Sequence, residues 1–173
     1  DVVRKHIAKL RGRIDIASEV GRGTTFALKL PLTLAIIDGL VTIVGGVRYI
    51  VPIFAVREMF RPTPDRLFTV EGRGEMVLVR ERLLPVVRLS RRLGVHAQSE
   101  NPCDGVMIVG ESEDRQYCLL VDELAGKQEV VIKNLGYTFR HVRGVAGGAI
   151  LGDGRVGLIL DLATLFGGLE HAA

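Results

Sequence analysis

The chain has 173 residues, of which 47% are hydrophobic and 25% charged, with a net charge of +3. That balance suits a folded domain, or a domain with a fragment attached, and excludes a disordered chain. The most apolar stretch, residues 30–44, is interrupted by Asp38 and Gly39 and falls short of the roughly 20 residues that a membrane-spanning helix needs.

The chain opens on Asp1 rather than Met, inside a helical pattern, and so reads as an excised piece. Val3, Ile7 and Leu10 recur at helical spacing opposite Arg4, Lys5, Lys9 and Arg11, which predicts an amphipathic helix stopped at Gly12. Ile14 and Ile16, then Phe26, Leu28 and Leu30, alternate with other residues around Val20-Gly21-Arg22-Gly23, which predicts a hairpin over 13–30. Beyond Pro31 the pattern predicts strands at about 35–44, 47–53, 74–80, 83–88, 105–111, 116–122, 127–133, 148–151 and 156–160. Short helical patches fit 55–60, 89–93 and 161–166. Glycine, at 21 residues, agrees with many tight turns. The expected class is mainly β, as a sandwich or small barrels.

One stretch returns. Gly74 to Gly94 and Gly147 to Gly167, offset by 73, both read as strand, turn, strand and short helix ended by glycine. A second agreement, at offset 68, sets Tyr49 to Ile53 against Tyr117 to Val121. Residues 34–168 therefore read as two related β-lobes, about 34–94 and about 105–168.

Charge is uneven along the chain. Residues 1–47 hold seven basic and four acidic groups, 48–92 ten and five, 93–104 none and two, and 105–173 six and nine. The middle is basic and the last third acidic, a polarity that would suit steering towards a partner of opposite sign.

A complete active site is not legible. His6, His96, His141 and His171 have no second ligand at metal spacing, and Cys103 and Cys118 form neither a metal nor a disulfide pattern, so a reducing compartment is the default. Cys118 alternates within an apolar strand and reads as core. Gly21-Arg22-Gly23-Thr24-Thr25 lacks a Walker lysine and a following helix, so on local grounds it is a hairpin turn. The Arg-rich tract from Arg57 to Arg92 is interleaved with acids, and its nearby aromatics suit a core. A solvated or partner-facing surface fits that tract better than nucleic-acid binding does.

Asp1-Val2-Val3-Arg4-Lys5, Gly12-Arg13-Ile14 and Glu19-Val20-Gly21-Arg22-Gly23-Thr24-Thr25-Phe26, followed by Leu30-Pro31-Leu32-Thr33-Leu34-Ala35-Ile36-Ile37, stand in an order that is similar to the C-terminal part of bacterial chemotaxis histidine kinases of the CheA family. Val121-Asp122-Glu123-Leu124, Val131-Ile132-Lys133 and Ala149-Ile150-Leu151-Gly152-Asp153-Gly154 continue the resemblance. It implies that residues 1–33 are the C-terminal remnant of a GHKL-type ATPase domain and that 34–170 form a CheW-like regulatory domain of two five-stranded SH3-like barrels.

Gly21, Gly23 and Thr24 would then lie near the nucleotide in the parent protein only. The parent would use ATP and Mg²⁺ for histidine autophosphorylation. The fragment, without the phosphoacceptor domain and most of the ATP site, is expected to be inactive alone and to need no cofactor. The partners implied are the CheW adaptor, chemoreceptor cytoplasmic tips and the other domains of the kinase dimer, with no nucleic acid and no membrane insertion. The implied location is cytoplasmic, at receptor arrays.

Leu40 and Val41, at the start of lobe one, are the expected partner contacts, with Leu40→Glu weakening adaptor binding while the fold survives. The alternatives are a stand-alone CheW-like scaffold and a nucleic-acid-binding β-barrel.

Overall fold

The computed structural model describes residues 13–21, 23–29, 36–71, 74–112, 115–133 and 143–167. The expected helix before Gly12, the junction at 30–35, and His6, His141 and His171 lie outside the described residues. The chain divides into two units, residues 1–35 and 36–173.

In the first unit, β1 (Arg13–Glu19) and β2 (Gly23–Lys29) form the expected hairpin, in register from Arg13–Lys29 to Glu19–Gly23. Ile14 faces Leu28 and Ile16 faces Phe26, so one face is apolar. Asp15 pairs with Lys29 at 2.8 Å and with Arg13 at 3.2 Å.

The second unit is mainly β. Its strands are β3 (Ile36–Val44), β4 (Val47–Pro52), β5 (Val56–Phe60), β6 (Leu67–Val70), β7 (Gly74–Val79), β8 (Arg82–Arg88), β9 (Val106–Ser112), β10 (Arg115–Val121), β11 (Glu123–Lys133), β12 (Val145–Ile150) and β13 (Val156–Leu160). Helix α1 (Leu89–Leu93) follows β8, and α2 (Leu162–Phe166) follows β13.

The expected helical patch at 55–60 is a different structure. A 3₁₀ turn, Ile53–Ala55, leads into strand β5, where half-buried Val56, Glu58 and Phe60 alternate with exposed Arg57 and Met59. A period of two over five residues is a strand signal, and tertiary pairing with β9 decides the matter. β6, between its own 3₁₀ turn and β7, was not expected.

Strands β11-β12-β13-β4-β3 close into a barrel, and β5-β9-β10-β8-β7-β6 form a six-stranded sheet. Each sheet therefore draws on both sequence lobes, unlike the contiguous division at 34–94 and 105–168. β3 and β4 complete the barrel of β11–β13, while β9 and β10 join β5–β8. The reason lies in two parallel pairs, β4 with β13 and β10 with β8, because parallel neighbours cannot be joined by a short hairpin.

The two offsets meet in the register. Ile50 pairs with Ile159, and Cys118 pairs with Val86; adding 68 to the first residue and subtracting 73 from the second converts one pair into the other. Both short helices end at the glycines singled out in the sequence, Gly94 and Gly167.

Three apolar clusters hold the unit together. Val41, Ile50, Val130, Ala149, Leu151 and Ile159 fill the barrel. Val77, Val79, Leu84, Met107, Val109 and Cys118 form the core of the six-stranded sheet. The largest lies between them and includes Leu40, Val44, Tyr49, Val51, Leu89, Ile108, Leu119, Leu160, Leu165 and Phe166. There Tyr117 stacks on Phe166 with ring centroids 4.3 Å apart. Arg92 of α1 donates to the Gly167 carbonyl at the end of α2, at 2.5 Å.

Candidate docking surface

Gly21 and Gly23 have positive φ, 79° and 98°, and a Cβ at either would meet nothing within 4 Å. Their backbone conformation accounts for glycine there. The Thr24 hydroxyl lies 3.0 Å from that of Ser18 across the hairpin.

Leu40 and Val41 are core, which corrects their placement as partner contacts. Leu40 is 3% exposed in the central cluster, and Val41 is 0% exposed inside the barrel. Adjacent strand residues point to opposite faces, and here both faces are covered. β3 is outward at even positions, yet its outward face changes character along its length. Ile36 and Asp38 meet solvent, whereas Leu40 and Val44 are roofed by the central core.

The exposed end of that face belongs to a larger surface. Ile36 pairs with Val131, Val131 with Ile150, and Ile150 with Val156, one row across β3, β11, β12 and β13. Val47 extends the row onto β4, two residues before Tyr49, as Val156 stands two before Tyr49's partner Leu158. Ile36, Val47, Ile150 and Val156 are exposed and Val131 half-buried. Beside this row Asp38 and Glu129 face each other on β3 and β11, and Lys127 reaches Asp38 at 3.4 Å.

A contiguous apolar row of this kind marks an interaction surface more often than an accident of packing. The sequence concealed it because Val-Gly-Leu-Ile-Leu at 156–160 is apolar on both faces. The six-stranded sheet has an apolar face of its own: Phe68, Leu78 and Leu83 lie on the side of β6–β8 away from Val77, Val79 and Leu84.

The basic tract is engaged internally. Arg57 binds Glu111 at 2.7 Å, Arg80 binds Glu58 at 2.8 Å, and Arg91 binds Glu100 at 3.1 Å. Arg88 grips both Glu75 oxygens at 2.6 and 2.7 Å. These hydrogen bonds hold the Glu75 and Glu111 carboxyls below the usual carboxylate range. Burial, and secondarily Glu58, pushes the Cys118 thiol up to about 12, as suits a core residue.

The charge polarity read along the sequence also dissolves in the fold. The barrel segments 36–52, 123–133 and 143–160 carry five basic and four acidic residues; the sheet segments 56–71, 74–88, 106–112 and 115–121 carry seven and six. Among the described residues, each sheet is thus nearly balanced.

A family profile described as the CheW-like domain matches residues 38–170. The chain is 42% identical over 168 residues to the chemotaxis protein CheA of Salmonella typhimurium, covering 96% of this chain and 25% of that protein. It is likewise 42% identical over 165 residues to the sensor histidine kinase CheAY of Helicobacter pylori, covering 95% of this chain and 20% of that protein. The chain thus spans about a quarter or less of the length of these relatives. A solved structure, the scaffolding protein TtCheW from Thermoanaerobacter tengcongensis, has the same fold, with a TM-score of 0.61 and 21% identity over 77% of this chain and 94% of that one. With the profile match running through both sheets, the chain belongs to the CheW-like domain family.

Proposed function

We propose that this chain is the adaptor-docking, regulatory region of a chemotaxis histidine kinase of the CheA type. It binds a CheW adaptor and chemoreceptor cytoplasmic tips, and so couples receptor state to autophosphorylation of a histidine elsewhere in the kinase. That parent enzyme uses ATP and Mg²⁺ and works at receptor arrays in the cytoplasm. Residues 1–33 are the end of its ATPase domain, and 34–170 are two SH3-like barrels descended from one duplicated unit whose halves have exchanged hairpins. Similarity to CheA proteins over nearly the whole chain supports the first part, and the matching parallel registers support the second.

The observation that carries the docking role is the exposed row Ile36–Val131–Ile150–Val156 on the outer face of the barrel. A nucleic-acid reading would need free arginines, whereas Arg57, Arg80, Arg88 and Arg91 are paired with carboxylates. The test is isothermal titration of the chain with a purified CheW adaptor. A glutamate placed in the row by Val156→Glu should weaken binding about tenfold or more, as loss of a central apolar contact does. Undiminished binding by a folded Val156→Glu variant would move docking away from this row.

A further inference from the structure

The segment between α1 and β9 walls a cleft of about 140 Å³ together with the ends of β8 and β10. A cavity of about 150 Å³ accepts a benzene-sized molecule, so the cleft has room for about six non-hydrogen atoms. Ser90 of α1 lines it and is only 7% exposed. Thr42, also a buried polar residue, donates to the Tyr49 carbonyl at 3.2 Å. Ser90 has no hydrogen-bond partner among the described residues, yet no fully buried side-chain oxygen there is left unpaired. Its hydroxyl therefore opens on the cleft, a buried polar group for a ligand to satisfy.

Charge narrows the ligand. Arg88, also in the lining, is answered by both Glu75 oxygens at 2.6 and 2.7 Å and by the Glu100 carbonyl at 2.8 Å. The two carboxylates of the lining, Asp104 and Asp122, have no cationic partner among the described residues. Asp104, on the exposed rim, accepts from the Ser99 hydroxyl at 2.6 Å and the Asn101 amide at 3.4 Å. Half-buried Asp122 accepts from the Gly45 and Gln98 N–H groups at 2.8 and 3.0 Å, both on Oδ2. Its Oδ1 is open to a donor, and a carboxylate oxygen binds a charged donor best. Leu120 and Val121 supply apolar lining beside these groups.

We propose that this cleft binds a small organic ammonium that carries a hydroxyl, the ammonium on Asp122 Oδ1 and the hydroxyl on Ser90 Oγ. None of the residues of the exposed row lines it, so the site is independent of the docking reading. Asp122 Oδ2 already ties the β3–β4 turn to residue 98, and a ligand on Oδ1 adds to that tie.

Ethanolamine is the probe, titrated into the purified chain at constant ionic strength and followed by heteronuclear NMR. The amide signals of Ser90, Gly105 and Asp122 should shift saturably. Ethylene glycol, which lacks the charge, and acetate, which has the opposite one, should leave them in place. Phosphoethanolamine, whose hydroxyl is esterified, should bind far more weakly, which separates the free amino alcohol from a lipid headgroup. Asp122→Asn, which keeps an acceptor for the Gly45 and Gln98 N–H groups, should weaken ethanolamine binding about tenfold or more. Ser90→Ala should weaken it about fivefold and leave ethylammonium binding unchanged. Ser90→Ala removes no hydrogen bond of the fold, so it decides the matter even where Asp122→Asn fails to fold. No saturable shift of these signals, an equal response to ethylene glycol or phosphoethanolamine, or undiminished ethanolamine binding by folded Ser90→Ala would each overturn the inference.

Discussion

Ile50 is fully buried, and its side chain occupies the space two glycines leave open: a Cβ at Gly39 would fall 2.3 Å from Ile50 Cγ2, and one at Gly157 2.8 Å from Ile50 Cδ1. Ile50 is walled in by Val41, Val130, Ala149 and Ile159, so it has nowhere to retreat. Gly39→Ala should therefore cost about 1–3 kcal/mol by overpacking, seen as a lower thermal midpoint, and an unchanged midpoint would refute the tight fit. Leu40 makes the same point from the other side of β3. With its side chain in the central cluster, Leu40→Glu buries an unpaired carboxylate and should unfold the domain rather than leave it intact.

Titration gives a third check at this scale. Glu75 is held below its ordinary 4.5 first by its hydrogen bond with Arg88. A depressed folded pKa contributes stability that is full above the unfolded value and lost as pH falls through the folded one. The thermal midpoint should hold from neutral pH to about 4.5 and then fall. Glu75→Gln should lower the neutral-pH midpoint, because Arg88 loses its doubly hydrogen-bonded carboxylate and keeps only Glu100, at 3.5 Å, as an ionic partner, and flatten the acid limb. An acid limb equally steep in Glu75→Gln would assign it to other carboxylates.

The elements show where strain is tolerated. Gly45 and Gly46 join β3 to β4 with positive φ, as a two-residue hairpin of this kind requires. The turn joining β7 to β8 asks the same of Arg80 and Glu81, at 50° and 73°, where side chains are disfavoured. Arg80 makes an exposed ion pair with Glu58 at 2.8 Å, which contributes little to stability. Glu81→Gly should relieve strain and raise stability by about 1 kcal/mol, measurable by urea denaturation; a loss of stability would mean that Glu81 makes a compensating contact.

At this scale much was legible. The repeat of strand, turn, strand, helix and glycine marked β7–β8–α1 and β12–β13–α2, because alternation and terminal glycines are local signals. β5 and β6 were not legible, since each is short and is fixed as a strand by its partner, β9 or β7. The exposed row was hidden for a related reason: Ile36, Ile150 and Val156 look like any core residue until their register and exposure set them together on the outer face among the described residues.

For the whole molecule, the order of strands in space matters more than their order along the chain. Each sheet is completed by a hairpin from the other half of the sequence, so properties averaged over contiguous stretches, such as the basic middle and acidic end, do not survive folding. What survives is a difference between faces: an apolar row edged by Asp38 and Glu129 on the barrel, and Phe68, Leu78 and Leu83 on the sheet. On the proposed docking role, it is these surfaces that a partner would meet. The most direct test is adaptor affinity by isothermal titration, comparing the wild-type chain with Val156→Glu, with circular dichroism confirming that both are folded. The account expects a loss of about tenfold or more; equal affinity in two folded proteins would contradict it.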